Sequence, residues 1–322
     1  MPIKMLSSKT GYIAGSTTVG VIFSENGVII IDNGWGEYQG EKILKKLREA
    51  NKRLIAVINT HTHLDHCGAN RYLRRQTGCD IYCSKYEANV LRAGAQMVAN
   101  ITSGSLYPIA ETRALFEDFG IDDPIELSPG YVTIDGVELE VVELPGHMEF
   151  HIGIVYDDVL FCGDALIDAD HIRGNKFMFA ANPIKARATY EYLKTTNYSI
   201  YCPAHGKPFY DPKDACDTAL ENIDALEADV LSVLEEKPLS LDATIGKLTT
   251  RMDIHIKNMS YYNIVKKTTE SMLNSLIDLG LLDYTFEDNM LVYKKLKEGE
   301  VRETKEDKIL SAVRKRVRRT DE

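Results

Sequence analysis

Several absences narrow the class of this 322-residue chain before any motif is read. No apolar run approaches the ~20 residues that span a bilayer, which excludes a helical membrane protein. The opening MPIKMLSSKT has no apolar segment of the export-signal kind, so the expectation is a cytoplasmic protein with no membrane partner. The six cysteines (Cys67, Cys79, Cys83, Cys162, Cys202 and Cys216) form no disulfide framework, and reduced thiols are expected. Cys79 and Cys83 have CxxxC spacing, but no second Cys/His pair stands nearby at zinc-site spacing. Basic residues are outnumbered 38 to 48, a net charge of −10, so the surface at large does not suit phosphate and nucleic-acid contact would need a local patch. Neither a GxSxG elbow nor an evident Cys/His pair is present, which leaves no protein nucleophile to name. No repeat or low-complexity tract stands out. What remains is an ordinary globular balance, 44% hydrophobic and 27% charged, at a length that suits one large domain and a smaller one.

The first two thirds alternate strands with helices. TGYIAG, VGVIFSE and GVIIID are Val/Ile-rich runs broken by Gly and Asn. Residues 36–50 place Ile43, Leu44 and Leu47 at helical spacing, and LIAVINT (54–60) reads as a buried strand. A helix over 67–75 and the strand DIYCS (80–84) follow. Residues 94–124 read as a helical excursion over the core, a candidate lid. Strands return at 137–144, 151–156 and 159–163, then a helix over 183–196 and the strand SIYCPA (199–204). This is the pattern of an α/β fold with a sheet covered by helices.

After Pro212 the character changes. Residues 213–236 read as one amphipathic helix, Ser240 caps a short helix to about Thr250, and 260–279 form a third helix stopped by Gly280. LLDYTFEDNMLVYKK reads as two strands around Glu287-Asp288-Asn289. Three helices and a hairpin are the order of a winged-helix unit. Its basic residues are sparse, which favours packing or dimerisation over DNA contact, and makes a homodimer a candidate assembly. Tyr261, Tyr262, Met272 and Leu276 are candidates for its core, a dimer face or a substrate wall, with core the first choice. The expected domains are 1–212, 213–299 and a charged tail, 300–322, whose basic run includes Arg314, Lys315, Arg316, Arg318 and Arg319.

The functional signal begins directly after a buried strand, at His61-Thr62-His63-Leu64-Asp65-His66. Imidazoles with a carboxylate suit a borderline or hard cation. In a loop leaving a strand, His61 and His63 alternate and point the same way. Asp65 and His66 begin the next helix and can face a second position. Downstream, Pro145-Gly146-His147, Gly163-Asp164 and Pro203-Ala204-His205-Gly206 each follow a strand. Five of the eight histidines (His61, His63, His66, His147 and His205) thus collect at one edge of a sheet.

HxHxDH, then PGH after 80 intervening residues, GD after 16 and PAHG after 40, resembles the metallo-β-lactamase superfamily over about residues 10–210. Asp32, closing the strand in GVIIIDNG, matches that family's first motif. The resemblance implies an αββα sandwich with two divalent transition metals at one edge, zinc by default, with iron or manganese allowed by the same ligands. It assigns His61, His63 and His147 to one metal, Asp65, His66 and His205 to the other, and Asp164 to a bridge. Asp32 and His151 become outer residues that orient ligands, and His171 and His255 are surface residues. A bridging hydroxide, oriented by Asp65, is the implied nucleophile. The loop 168–183 is expected beside the metals, where Arg173 and Lys176 could meet an anionic substrate.

Departures exclude branches. Only 40 residues separate Asp164 from His205, too few for the insert of the β-CASP nucleases, and His63 stands where the di-iron oxygen reductases have Glu. The lack of an export signal argues against a secreted antibiotic-degrading enzyme. No glutathione-binding set of the hydroxyacylglutathione hydrolase type is legible after His205. Through Cys202-Pro203-Ala204-His205-Gly206 and the C-terminal element order, the chain is similar to the group of β-lactamase-like protein 2 and its bacterial relatives. Three functions are therefore carried: a dinuclear hydrolase of a small ester, thioester, lactone or amide; a single-stranded RNA endonuclease using the basic tail, with RNA as partner; and a non-catalytic, metal-dependent DNA-binding regulator. An intact ligand set has no purpose in a pure binding module, and the acidic balance disfavours RNA, which ranks the small-molecule hydrolase first.

Overall fold

The computed structural model describes residues 3–102, 120–175 and 177–297, the side chains of 95–102 excepted. The chain divides into two units, Met1–Asp224 and Ala225–Glu322. The first is built on two sheets. Strands β1 (Lys4–Met5), β2 (Thr10–Ile13), β3 (Val19–Phe23), β4 (Val28–Ile31), β5 (Leu54–Ile58), β6 (Asp80–Ser84) and β7 (Ile125–Leu127) lie side by side in chain order. The second sheet runs β12 (Ile200–Pro203), β11 (Val159–Gly163), β10 (Ile152–Tyr156), β9 (Val137–Glu143), β8 (Gly130–Ile134).

The period-2 alternation of these strands sorts their side chains into layers. Val21, Ile30, Val57 and Ile81 face a core shared with Ile43, Leu44 and Leu47 of α1 (Gly36–Glu49) and Leu73 of α3 (Asn70–Thr77). Ile22, Ile29, Ile31 and Ile58 face the other way and meet Leu139, Val141, Ile154 and Phe161 of the second sheet. Val142, Leu160 and Tyr201 pack outward on Leu193 of α6 (Pro183–Lys194) and Ala215 and Cys216 of α7 (Lys213–Val233). Helix, sheet, sheet, helix is the resulting order. β4 (VIII) and β5 (LIAVI) are apolar throughout because parallel strands between two packed layers expose neither face. Each fully buried Ile or Leu contributes about 1.5–3 kcal/mol, and this core owes nothing to the polar edge.

Strand direction sets that edge. β4 and β5 are parallel, β11 and β12 are parallel, and β9 runs with β11 because β10 is antiparallel to both. The carboxyl ends of β4, β5, β9, β11 and β12 therefore deliver Asp32, the 60–66 segment, His147, Asp164 and His205, and His151 precedes antiparallel β10. A bond from Ile152 N–H to Thr60 O (3.0 Å) joins the two sheets there. The expected helix over 67–75 is two: α2 (Leu64–Cys67) and α3. α4 (Lys85–Thr102) begins earlier than the expected excursion, and the remainder of that candidate lid, 103–119, lies outside the described residues. α5 (Ala169–Arg173) follows β11. All six cysteines are free and buried.

The second unit takes the latter part of α7, α8 (Leu241–Arg251), α9 (Met259–Asp278) and the hairpin β13 (Leu282–Glu287)–β14 (Met290–Lys295). Ser240 Oγ accepts the Ala243 N–H and Asn258 Oδ1 the Tyr261 N–H, capping two helices. Asp288 and Asn289 take positive φ (49° and 62°), as a two-residue hairpin turn requires. Met272 and Leu276 are buried core, as expected; Tyr261 and Tyr262 are only partly buried, and the Tyr262 hydroxyl donates to Asp242. The charged tail lies outside the described residues. Among those residues no helix is long and apolar enough to cross a membrane.

Candidate metal centre

Seven side chains converge at the shared edge in three overlapping groups: His61, His63 and His147; His61, His66 and Asp164; Asp65, His66 and His205, the ligand atoms of each within 4.8 Å of one another. Asp164 Oδ2 lies 3.4 Å from His66 Nε2 and 3.5 Å from His147 Nε2, and its Oδ1 lies 3.5 Å from His205 Nε2. Asp65 Oδ2 lies 3.2 Å from His205 Nε2 and 3.6 Å from His66 Nε2. His63 Nδ1 faces His147 Nε2 at 3.1 Å.

Outer hydrogen bonds decide which nitrogen of each ring points inward. Thr60 N–H and Oγ1–H both donate to Asp32 (2.8 and 2.9 Å), so the Thr60 hydroxyl is left to accept from His61 Nδ1 (3.1 Å). His66 Nδ1 donates to Asp32 Oδ2 (2.8 Å), His147 Nδ1 to Phe179 O (3.2 Å) and His205 Nδ1 to Ser16 O (2.8 Å). Carbonyls and carboxylates accept only, so Nδ1 carries the proton in these four rings and Nε2 turns inward. Of the buried side-chain polar atoms without a hydrogen-bond partner among the described residues, His61 Nε2, His66 Nε2 and Asp164 Oδ1 all face this centre. A buried polar atom without a partner is costly, and a cation bound by these atoms, with the His66 ring neutral, would satisfy all three. The donor set, imidazole with carboxylate, fits a divalent transition metal.

A sequence-family model of the metallo-beta-lactamase superfamily matches residues 12–205. This chain belongs to the metallo-beta-lactamase superfamily. Similar proteins include a hydroxyacylglutathione hydrolase of Shewanella pealeana, 29% identical over 45% of this chain and 43% of that one. A second, from Haemophilus influenzae, is 29% identical over 44% of this chain and 62% of its own. The chain thus spans roughly half the length of these curated relatives. In fold it is similar to a beta-lactamase domain protein of Burkholderia ambifaria (TM-score 0.71, 18% identity, 92% of this chain and 95% of that one). A metallo-beta-lactamase family protein of Thermus thermophilus gives 0.67 at 16% identity, over 92% of this chain and 97% of its own.

In this superfamily member, electrostatics split the cluster. Burial, then the neighbouring rings, hold His61 well below the ordinary histidine range; burial and His147 lower His63 to about 3; burial lowers His147 and His151. His66 goes the other way. Burial alone would lower it, but Asp164 and Asp32 outweigh burial and hold it well above the usual value. At 3.4 Å the Asp164 contact is an ion pair rather than a well-formed hydrogen bond. Burial likewise opposes the ionised form of Asp164, and the charge of His66 overrides it, leaving Asp164 well below the carboxylate range. His205 is raised against burial by Asp65 and Asp164, and Asp65 is lowered against burial by His205 and His66. A cation entering the cluster must displace the His66 proton.

All seven expected ligands, with Asp32 and His151, come together. His151 is buried, and its Nε2 accepts the Asp164 N–H (3.2 Å). Gly163, before Asp164, has φ 52°, and a Cβ there would fall 2.5 Å from Thr60 Oγ1 and 2.7 Å from His151 Nε2. His255 is on the surface, as expected. His171 is exposed, but its ring lies 6.3 Å from that of His205, nearly parallel at 26°. Arg173 engages Asp170 (3.3 Å), Asp214 (2.5 Å) and Thr218 (3.2 Å), so a substrate anion would have to displace carboxylates. Lys176 lies outside the described residues. Sequence reasoning missed the supports: Glu87 accepts from Thr62 N–H (3.0 Å) and its hydroxyl, and Asn33, Asn70 and Asn59 form a buried amide chain ending on His66 O (2.5, 2.7 and 2.9 Å). DNG at the end of β4 and INTH leading into the motif were signals for Asn33, Asn59 and Thr60; nothing marks Glu87.

Proposed function

We propose that the chain is a dinuclear metal-dependent hydrolase of a small molecule carrying an ester, thioester, lactone or amide bond. Asp164 carries this reading: its two oxygens face histidines of two different groups, as a carboxylate shared by two cations would. His61, His63 and His147 would hold one ion, and Asp65, His66 and His205 the other. Zinc is the first expectation, with iron or manganese next. Two such cations supply a water that ionises near neutral pH and a Lewis acid for the attacked oxygen.

The chain's own residues do the rest. Asp32, Thr60, Phe179 O and Ser16 O fix the tautomers. The Asp65 side chain, 35% exposed, can accept a hydrogen bond from entering water and aim its lone pair. The acyl class is favoured because the relatives quoted above are named for hydrolysis of hydroxyacylglutathione, and a net charge of −10 disfavours an RNA phosphodiester. We read the second unit, from the latter part of α7 through the β13–β14 hairpin rather than from the expected start at 213, as a winged-helix-like domain that packs or dimerises. The test is elemental analysis of gently purified protein, with turnover of ester, thioester and phosphodiester probes with and without added metal. Two ions per chain and metal-dependent acyl hydrolysis are expected. A limit of one ion after reconstitution, or phosphodiesterase activity alone, would overturn the reading.

A further inference from the structure

We propose that Asp168 is the positioning residue for His205, and through it for the metal position formed with Asp65 and His66; this rests on the dinuclear reading. His205 sits on a turn after β12, and its side chain stays 21% exposed. Behind it, Ala204 is held through its N–H on Gly163 O (2.9 Å) and its carbonyl on Thr18 N–H (2.7 Å). Ahead of it, the turn is held by Asp168. One Asp168 oxygen accepts the His171 N–H (3.1 Å), capping α5, and the other accepts the Lys207 N–H (3.1 Å). Gly206, between His205 and Lys207, has φ 102°, and a Cβ there would lie 1.5 Å from Asp168 Oδ2. The carboxylate therefore occupies the space any side chain at 206 would need.

One group thus joins two segments by backbone hydrogen bonds. It fixes the His205 turn from one side and α5 from the other, which sets His171 parallel to the His205 ring. Asparagine cannot do this. Each oxygen meets a backbone donor, and an amide would turn its own N–H groups toward one of them. With that bond lost, His205 keeps its link to Ser16 O, but the backbone carrying its ring is free to shift. Outer supports of metal ligands tune affinity by about 10–100-fold. The loss should fall on the Asp65/His66/His205 position alone, because His61, His63 and His147 stand on other strand ends.

The experiment is stepwise cobalt titration of Asp168→Ala, which removes both acceptors, Gly206→Ala and the control Asp170→Asn, whose carboxylate is 96% exposed and pairs with Arg173. Amide exchange of the metal-free proteins is followed alongside. Asp168→Ala and Gly206→Ala should each weaken one of two cobalt affinities at least ~10-fold and leave the other unchanged, and Asp168→Ala should speed exchange at Lys207 without changing it in β4 and β5. Gly206→Ala should cost less in an Asp168→Ala background, where the overlap at 1.5 Å is gone. Equal loss at both positions, an effect matched by Asp170→Asn, or unchanged Lys207 exchange would overturn the proposal. A single cobalt site in the wild type would instead sink the dinuclear reading, and Lys207 exchange would still decide whether Asp168 holds the turn.

Discussion

Replacing Asp32 by Asn removes one acceptor from a group that has three buried donors to satisfy. Its carboxylate accepts from Thr60 N, Thr60 Oγ1 and His66 Nδ1, all within 2.9 Å, and the residue is 1% exposed. Oδ2 takes both His66 Nδ1 and the Thr60 hydroxyl while Oδ1 takes the Thr60 N–H, so an amide whose oxygen keeps the first two turns its own N–H groups toward the Thr60 N–H. One donor is orphaned, at a cost of about 1–3 kcal/mol in the metal-free protein. A second effect depends on pH. His66 is held above the ordinary histidine pKa by Asp164 and Asp32 against burial. That elevation contributes stability fully present below the unfolded value, ~6.5, and lost as pH rises through the folded value. The Asn variant loses part of it, at ~1.36 kcal/mol per pKa unit. The stability gap between the two metal-free proteins should thus be widest below pH ~6.5 and narrow in alkali. Metal affinity behaves oppositely. The variant should bind ~10–100-fold more weakly, with the deficit largest in alkali. It should shrink in acid, where wild type must also expel a tighter-held His66 proton. Urea unfolding and chelator competition at pH 5 to 9 measure both. A stability gap that widens with pH, or an affinity deficit that grows in acid, would refute the role given to Asp32.

Asp65→Ala and His147→Ala should each reduce hydrolysis more than ~100-fold while circular dichroism stays native, because the sandwich core is apolar; unchanged turnover in either would show the site misassigned. Gly163→Ala should lower the thermal midpoint and metal affinity together, because the new Cβ meets Thr60 and His151; a native midpoint would refute the close approach. Asn70→Leu should orphan the Asn33 amide and free Asn59, costing about 1–3 kcal/mol in urea unfolding. Removing 300–322 should leave metal content and small-ester hydrolysis intact; salt-sensitive RNA cleavage that collapses on deleting 313–319 would put the ribonuclease first.

What was legible in the sequence was whatever repeats at short range. The Val/Ile runs of β2 to β6 and β9 to β12 fell within a residue or two, because central strands bury both faces and read as unbroken apolar stretches. β1, β7 and β8 went unread: β1 and β7 have two and three residues, and β8 exposes most of its length, so no apolar pattern forms. The one helix read over 67–75 is two elements, Leu64–Cys67 and Asn70–Thr77, with a break at Gly68-Ala69 that local periodicity over so few residues cannot register. All seven candidate ligands were legible because His and Asp at strand ends are chemically conspicuous. Their supports were not. Phe179 and Ser16 act through backbone carbonyls that any residue could supply, and Asp168 was read only as the start of a loop, 168–183, whereas it caps a short helix and the fold brings Lys207 and Gly206 against it.

Asn51, Asp135, Asp157, Asp158, Asp253, Asp288 and Asn289 take positive φ, and at the metal-site edge one non-glycine residue also does so. Asp32 closes β4 at φ 57°, a conformation a non-glycine residue adopts at a cost of ~1–3 kcal/mol when over-determined by its surroundings. Its surroundings do over-determine it: the Asp32 N–H is on Ile58 O and the carboxylate on Thr60 and His66. Gly163 and Gly206 solve the same problem without a side chain, one beside Asp164 and the other beside His205. The strained Asp32, the unpartnered Nε2 atoms of His61 and His66 and the opposed histidine shifts thus share one edge of the two sheets, while Ile29, Ile30 and Val57 behind it are ordinary, wholly buried core. A core that folds without the cation can hold such an edge open for one, because the cost of a metal-free cluster is met by apolar burial elsewhere. A cation that displaces the His66 proton should then stabilise the protein by mass action, in proportion to its free concentration over its dissociation constant. That stabilisation should rise with pH as the His66 proton becomes easier to remove.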